Sequence, residues 1–195
     1  MTRTFIALEM NEDLQRHLKG VLQQVARVLP GIRWVAPPGI HLTLAFLGEL
    51  TDEQLAEVIQ ATETAARHIK PFSYRLSRLG IFGSPRHPRV IWVGIDEPSG
   101  TLAYLHRILN NELEQRGFEI DTRPFSPHLT LARVKAPLKP EEQRQLQDIL
   151  AGKQQGIVST REYGVQHINV VKSELSRSGA RYTPLRECVL RDHES

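Results

Sequence analysis

One cysteine, Cys188, stands among 195 residues. The chain can form no intrachain disulfide and no cysteine-built zinc site, and Cys188 is expected as a partly buried apolar side chain. No run approaches the ~18 apolar residues of a membrane-crossing helix. The opening MTRTFIALEM is interrupted too early, by Glu9, for a secretory signal, so the chain reads as cytoplasmic and free of any membrane. No low-complexity segment occurs. Neither sign of charge prevails: 25 Lys+Arg against 22 Asp+Glu leave a net +3. That permits a phosphate or nucleic acid ligand without arguing for one, because the arginines are scattered rather than gathered as in a duplex-DNA binder. The length is ample for a sizeable core.

What is present is a repetition. His-Leu-Thr-Leu-Ala occurs at His41 and again at His128. When the chain is slid by the 87 residues between them, FIALEM from Phe5 falls on WVGIDE from Trp92. Leu14, Leu18, Val21 and Leu22 fall on Thr101, Leu105, Ile108 and Leu109, and FSYRLSRLGIF from Phe72 falls on STREYGVQHIN from Ser159. The match needs no gap and points to an internal duplication.

Each unit reads as strand, helix, motif strand, helix, strand. Apolar strands at 4–8 and 90–95 lead into helices of 3.6-residue period at about 11–28 and 99–116, with Asn11 and Ser99 as N-caps. Gly31 and Gly117 follow them, as expected near helix ends. Thr51 and Gln54 form a capping-box pattern before the next helix, whose counterpart starts at Pro140. Longer strands at 73–82 and 161–171 close the units, and a last strand near 182–190 has no partner in the repeat. Strands interleave with helices, and hairpin-like neighbours outnumber regular crossover units, which favours an α+β fold over a doubly wound sheet. The expectation is one bilobal domain over 1–195, with units roughly 4–83 and 90–172. Antiparallel sheets would line a central cleft about a pseudo-twofold axis, helices outside.

Side chains alternate along a strand, so His41 and Thr43 share one face while Leu42 and Leu44 take the other. His128 and Thr130 stand likewise opposite Leu129 and Leu131. An imidazole titrates near neutrality, so one of two can take a proton while the other gives one. Threonine hydroxyls can donate to an anionic centre. No carboxylate adjoins either histidine and no serine sits in a nucleophile elbow, which leaves Ser-His-Asp chemistry without its parts. Two histidines without a third ligand in the motif make a poor zinc site, although a distant side chain could complete one. Phosphodiester cleavage without a metal or other cofactor fits these groups best.

IRWVAPPGIHLTLAFLGEL, PRVIWVGI and FSPHLTLARVK resemble the 2H phosphoesterase superfamily, most closely its bacterial RNA 2′,3′-cyclic phosphodiesterase branch, often called 2′-5′ RNA ligase. The similarity runs from Phe5 to the SRSGARYTPL region, and both histidines and both threonines of the doubled motif are present. The resemblance implies that His41 gives a proton to the leaving 3′-oxygen and that His128 activates water. Thr43 and Thr130 would bond the phosphate oxygens. The product would be a 2′-phosphate end, and reversal would give ATP-independent 2′-5′ ligation. From the residues alone the two histidine roles are interchangeable. The partner would be an RNA end or nucleotide carrying a 2′,3′-cyclic phosphate, met by a monomer. Small nucleotides or tRNA-splicing products are the alternative substrates, and an RNA- or nucleotide-binding module with little turnover is the alternative class.

Related proteins often carry an arginine at the place of Arg133, and a guanidinium suits a phosphate. Strand parity, however, sets Arg133 with Leu129 and Leu131, away from His128 unless the strand ends, twists or bulges after Ala132. Phe125 and Trp34 are candidates to stack on a base. Trp92, in an apolar strand, and Phe46, in phase with Leu42 and Leu44, are expected in the core. His17, His68, His87, His106, His167 and His193 have no repeated context and read as surface or structural. The basic loop GSPRHPR, 83–89, reads as solvated or as a guide for RNA.

Overall fold

The computed structural model describes residues 1–8, 10–152, 160–176 and 179–191. Its elements are β1 (Thr2–Leu8), α1 (Glu12–Val28), β2 (Thr43–Leu50), α2 (Asp52–Arg67), β3 (Phe72–Ser84), β4 (His87–Asp96), α3 (Thr101–Gln115), β5 (His128–Arg133), α4 (Pro140–Leu150), β6 (Tyr163–Val165), β7 (His167–Ser176) and β8 (Gly179–Val189). Ser159, Arg177, Ser178 and His193, each part of a reading above, lie outside the described residues.

The helices start where their capping groups dictate. The Asn11 side chain accepts from the Leu14 N–H, and Thr51 and Gln54 exchange bonds as a reciprocal capping box. Such a cap is worth about 1 kcal/mol. Ser99 is not the N-cap expected of it. Gly100, at φ 79°, takes that place, and the Glu97 carboxylate accepts from the Leu102 N–H instead. The left-handed backbone suits glycine, and the acid complements the helix N-terminus.

Two four-stranded antiparallel sheets form, in the orders β2-β1-β7-β8 and β5-β4-β3-β6. The α+β expectation is met, and the repeat explains the order. β1 corresponds to β4, β2 to β5 and β7 to β3, so each unit's closing strand joins the other unit's sheet. The expected single strand over 161–171 is two, because the chain changes sheets at Gln166 between β6 and β7. β8 thereby finds its positional counterpart in β6. The gapless slide also needs correcting. Thr43 stands opposite Ala7 but Thr130 stands opposite Trp92, so motif positions 87 apart meet leading-strand positions 85 apart.

The helices cover the apolar side of the sheets. Leu14, Leu18, Leu105, Leu109 and Leu113 of α1 and α3 are fully buried with Leu42, just before β2, and Leu129 and Leu131 of β5. Each such side chain contributes about 1.5–3 kcal/mol on burial. Cys188 joins this core, and burial pushes its thiol up to about 12, which leaves it inert. Among the described residues no helix is long and apolar enough to cross a membrane.

Candidate active site

Both motif histidines are held alike. His41 bonds through Nδ1 to the Gly39 carbonyl at 3.1 Å, and His128 through Nδ1 to the Ser126 carbonyl at 2.7 Å. A carbonyl oxygen only accepts, so Nδ1 carries the hydrogen in each ring. Nε2 is then the other nitrogen, an acceptor when the ring is neutral and a donor when it is charged. Each carbonyl lies two residues upstream, so the device repeats with the motif.

Aromatic rings fix the imidazoles from the sides. Phe5 stacks on His41 with centroids 4.5 Å apart, and Tyr182 meets the same ring edge-on at 4.8 Å. Phe82 meets His128 edge-on at 5.0 Å, and Trp92 lies 6.0 Å from it. Phe5, Tyr182 and Phe82 were missed as site residues in the sequence. Only the pairing of β1 with β2 and β7, of β8 with β7 and of β3 with β4 brings them beside the histidines. Trp92 was expected in the core. It is half-buried on the face of Thr130, directly opposite Gly80, and its indole N–H is buried with no acceptor among the described residues.

Gly80 makes that placement possible, since a Cβ there would stand 2.2 Å from the Trp92 ring. We expect Gly80→Ala to displace Trp92, shift the tryptophan emission and cost about 1–3 kcal/mol in a denaturant titration. Gly164→Ala is the control, because nothing lies within 4 Å of its added carbon.

Bulges decide which further residues reach this face. Leu131 has no partner on β4, so Leu131 and Ala132 are both buried and the alternation inverts. Arg133 therefore stands opposite Val90, itself opposite Phe82, on the side of Thr130 and His128. Sequence parity had set it on the other side. The bulge that would free it falls at Leu131, one residue earlier than supposed. In β2, irregularities at Leu44 and Leu47 likewise turn Phe46 out of the core. It is 55% exposed, opposite Phe5, with the Arg3 guanidinium 4.8 Å above its ring. Thr43 is exposed and Thr130 half-buried.

The two units meet here. Val35, six residues before His41, donates to the Leu131 carbonyl at 2.8 Å, and Trp34 bridges Ala132. Burial pushes the His41 pKa down, the Gly39 carbonyl opposes this, and the Arg133 charge lowers it further. A cation of the second motif is thus felt by the histidine of the first. We expect the NMR titration midpoint of His41 to lie below 6.5 and to rise in Arg133→Gln, because a repelling charge has been removed.

Trp34 and Phe125 are placed otherwise. Trp34 donates to the Leu29 carbonyl at 3.4 Å and lines a hollow beside α1 with Lys19, Leu22 and Pro37. Phe125 lies face to face on His106 at 3.9 Å, which occupies one side of its ring. Among the described residues no three histidine, cysteine or acidic side chains gather as a metal site.

The family model described as LigT like Phosphoesterase matches this chain twice, over residues 8–92 and 93–182. An RNA 2′,3′-cyclic phosphodiesterase of Thermotoga maritima is 30% identical over 187 residues, 95% of this chain and 94% of the relative. One of Aquifex aeolicus is 27% identical over 97% of this chain and 98% of its own length. The crystal structure of TT0787 of Thermus thermophilus superposes with a TM-score of 0.81 at 30% identity, covering 98% of this chain and all of the other. Escherichia coli LigT complexed with 3′-AMP superposes at 0.73 and 25% identity, covering 98% of this chain and 99% of the other. With both halves matched and both carrying the same histidine mounting, the chain belongs to the LigT-like phosphoesterases.

Proposed function

We propose that the chain hydrolyses RNA 2′,3′-cyclic phosphodiester ends to 2′-phosphate ends, using His41 and His128 as acid and base and no metal. The observation that carries this reading is the doubled mounting, Nδ1 on a backbone carbonyl in both units, with Arg133 on the face of Thr130. With Nδ1 engaged, Nε2 of each ring is left for proton transfer, and two such atoms with a cation suit hydrolysis of a phosphodiester anion. The names of the relatives supply the substrate.

In the proposed step, His128 Nε2 takes a proton from water as the water oxygen bonds to phosphorus. The P–O3′ bond breaks, and His41 Nε2–H gives its proton to O3′. Thr43 and Thr130 hydroxyls and the Arg133 guanidinium donate to the non-bridging oxygens as charge spreads over them. A 5′-hydroxyl in place of water would make a 2′-5′ linkage by the same proton transfers, without ATP. The direction of labour between the histidines is that of the resemblance. A lowered pKa makes His41 the readier proton donor once it is charged, and a bound phosphate anion would favour that charge. The proposal includes a monomer acting in the cytoplasm.

The test is an oligoribonucleotide ending in a 2′,3′-cyclic phosphate, followed by mapping of the end formed. A 2′-phosphate is expected, with the rate unchanged in EDTA. A 3′-phosphate, or loss of activity in EDTA restored by zinc, would overturn the assignment. Binding without turnover would favour the RNA-binding module.

A further inference from the structure

The site described so far would serve a nucleotide as well as an RNA. We propose that Arg89 and Arg86 form a second phosphate-binding station on the β3–β4 hairpin, reading the RNA strand 5′ to the cyclic phosphate, so that the preferred substrate is a polynucleotide. This rests on the function proposed above.

The hairpin joins the site along one cross-strand row: Phe82 opposite Val90, and Val90 opposite Arg133. Phe82 touches His128, which makes this the face of the site. Arg89 has no partner on β3, because Phe82 pairs with Val90 and Gly83 with Pro88. The two residues at such a bulge project to one side. Accordingly Pro88 is buried while Arg89 is exposed and Val90 half-exposed beside Phe82. Arg89 thus sits next to the strand position facing Arg133, and Arg86 lies beyond it at the turn.

The turn is built rather than loose. Gly83 holds φ at 101°, where an added Cβ would stand 2.6 Å from the His87 carbonyl oxygen. The Ser84 hydroxyl accepts from the His87 N–H at 3.1 Å. Charge is held in reserve here. Arg86, Arg89 and Arg133 hold no carboxylate among the described residues, a state they share with Arg3, Arg78 and Arg107 elsewhere, whereas Arg75 on the neighbouring strand holds Glu162.

The substrate's chemistry gives this row a direction. A 2′,3′-cyclic phosphate is a 3′ terminus, so the RNA leaves the histidines only toward its 5′ side. A strand following Arg133, Arg89 and Arg86 would pass the exposed edge of Phe82, 39% accessible and free to meet a base. Cations beside an aromatic surface are the ordinary means of holding single-stranded RNA. An acidic protein would have no reason to begin at the histidines.

The experiment compares wild type, Arg86→Ala/Arg89→Ala and Arg86→Lys/Arg89→Lys on two substrates. One is a nucleoside 2′,3′-cyclic phosphate, the other an oligoribonucleotide with the same end. Binding of the matching oligoribonucleotide 2′-phosphate is followed by anisotropy over a salt series. The alanine pair is expected to lose about tenfold in kcat/KM on the oligonucleotide at low salt, with the nucleoside substrate unchanged. The lysine pair should keep most of the rate. The slope of log affinity against log salt should fall by about 1.4, since single strands release about 0.7 counterion per phosphate contact. An unchanged slope, or equal losses on both substrates, would overturn the station and leave the catalytic proposal standing. If wild type turns over neither substrate, the catalytic proposal fails, and the binding slope alone still decides the station.

Discussion

Replacing His41 or His128 by alanine is expected to lower kcat by about 10²–10⁴, with the fold intact and KM little changed. Each ring is half-buried on a sheet face, held by one backbone carbonyl and aromatic neighbours rather than interleaved in the helix-covered core. Its removal leaves no unpaired charge in the interior. What is lost is a proton acceptor or donor at a fixed place. Under the proposed mechanism both serve one displacement, so the double replacement should cost far less than the product of the single losses. Hydrolysis measured in single turnover, beside a thermal melt of each variant, checks this. Losses that multiply, or a melt that collapses with either change, would assign the histidines separate or structural roles.

The second large effect is expected at Arg133. Hydrogen bonds to charged groups are worth about 1.5–3 kcal/mol, so Arg133→Ala should lower kcat/KM by about 10- to 100-fold. Arg133→Lys should recover only part of it, since an ammonium cannot grip two phosphate oxygens as a guanidinium does. The change has a second signature. If His41 must be charged to act, kcat/KM falls as pH rises through its pKa, which burial, aided by Arg133, sets below 6.5. Removing Arg133 lifts that pKa, so the alkaline limb of the profile should move to higher pH. A limb that stays put would mean that another group sets it.

The same residues show what the sequence could and could not convey. The core faces were legible because Leu42, Leu44, Leu129 and Leu131 alternate with polar partners, and all four are buried. The helix starts at Asn11 and Thr51 were legible because a cap is local chemistry. Ser99 misled because Glu97, two residues earlier, reaches the same helix end. Parity failed at Arg133 and Phe46, each time for one reason. A bulge is an agreement between two strands, and neither strand records it alone. Trp92 failed similarly, since its place depends on the missing side chain of Gly80 across the pair. Phe5 and Tyr182 reach His41, and Phe82 reaches His128, through strand pairings that no spacing along the chain announces.

The most direct test is two-bond proton–nitrogen NMR of the imidazoles during titration with a nucleoside 2′-phosphate. Before ligand is added, both rings should show hydrogen on Nδ1, and one equivalent should shift the Nε2 signals of His41 and His128 together with a single midpoint. A response from only one ring, or two midpoints at separate equivalents, would show that the two units do not serve one phosphate.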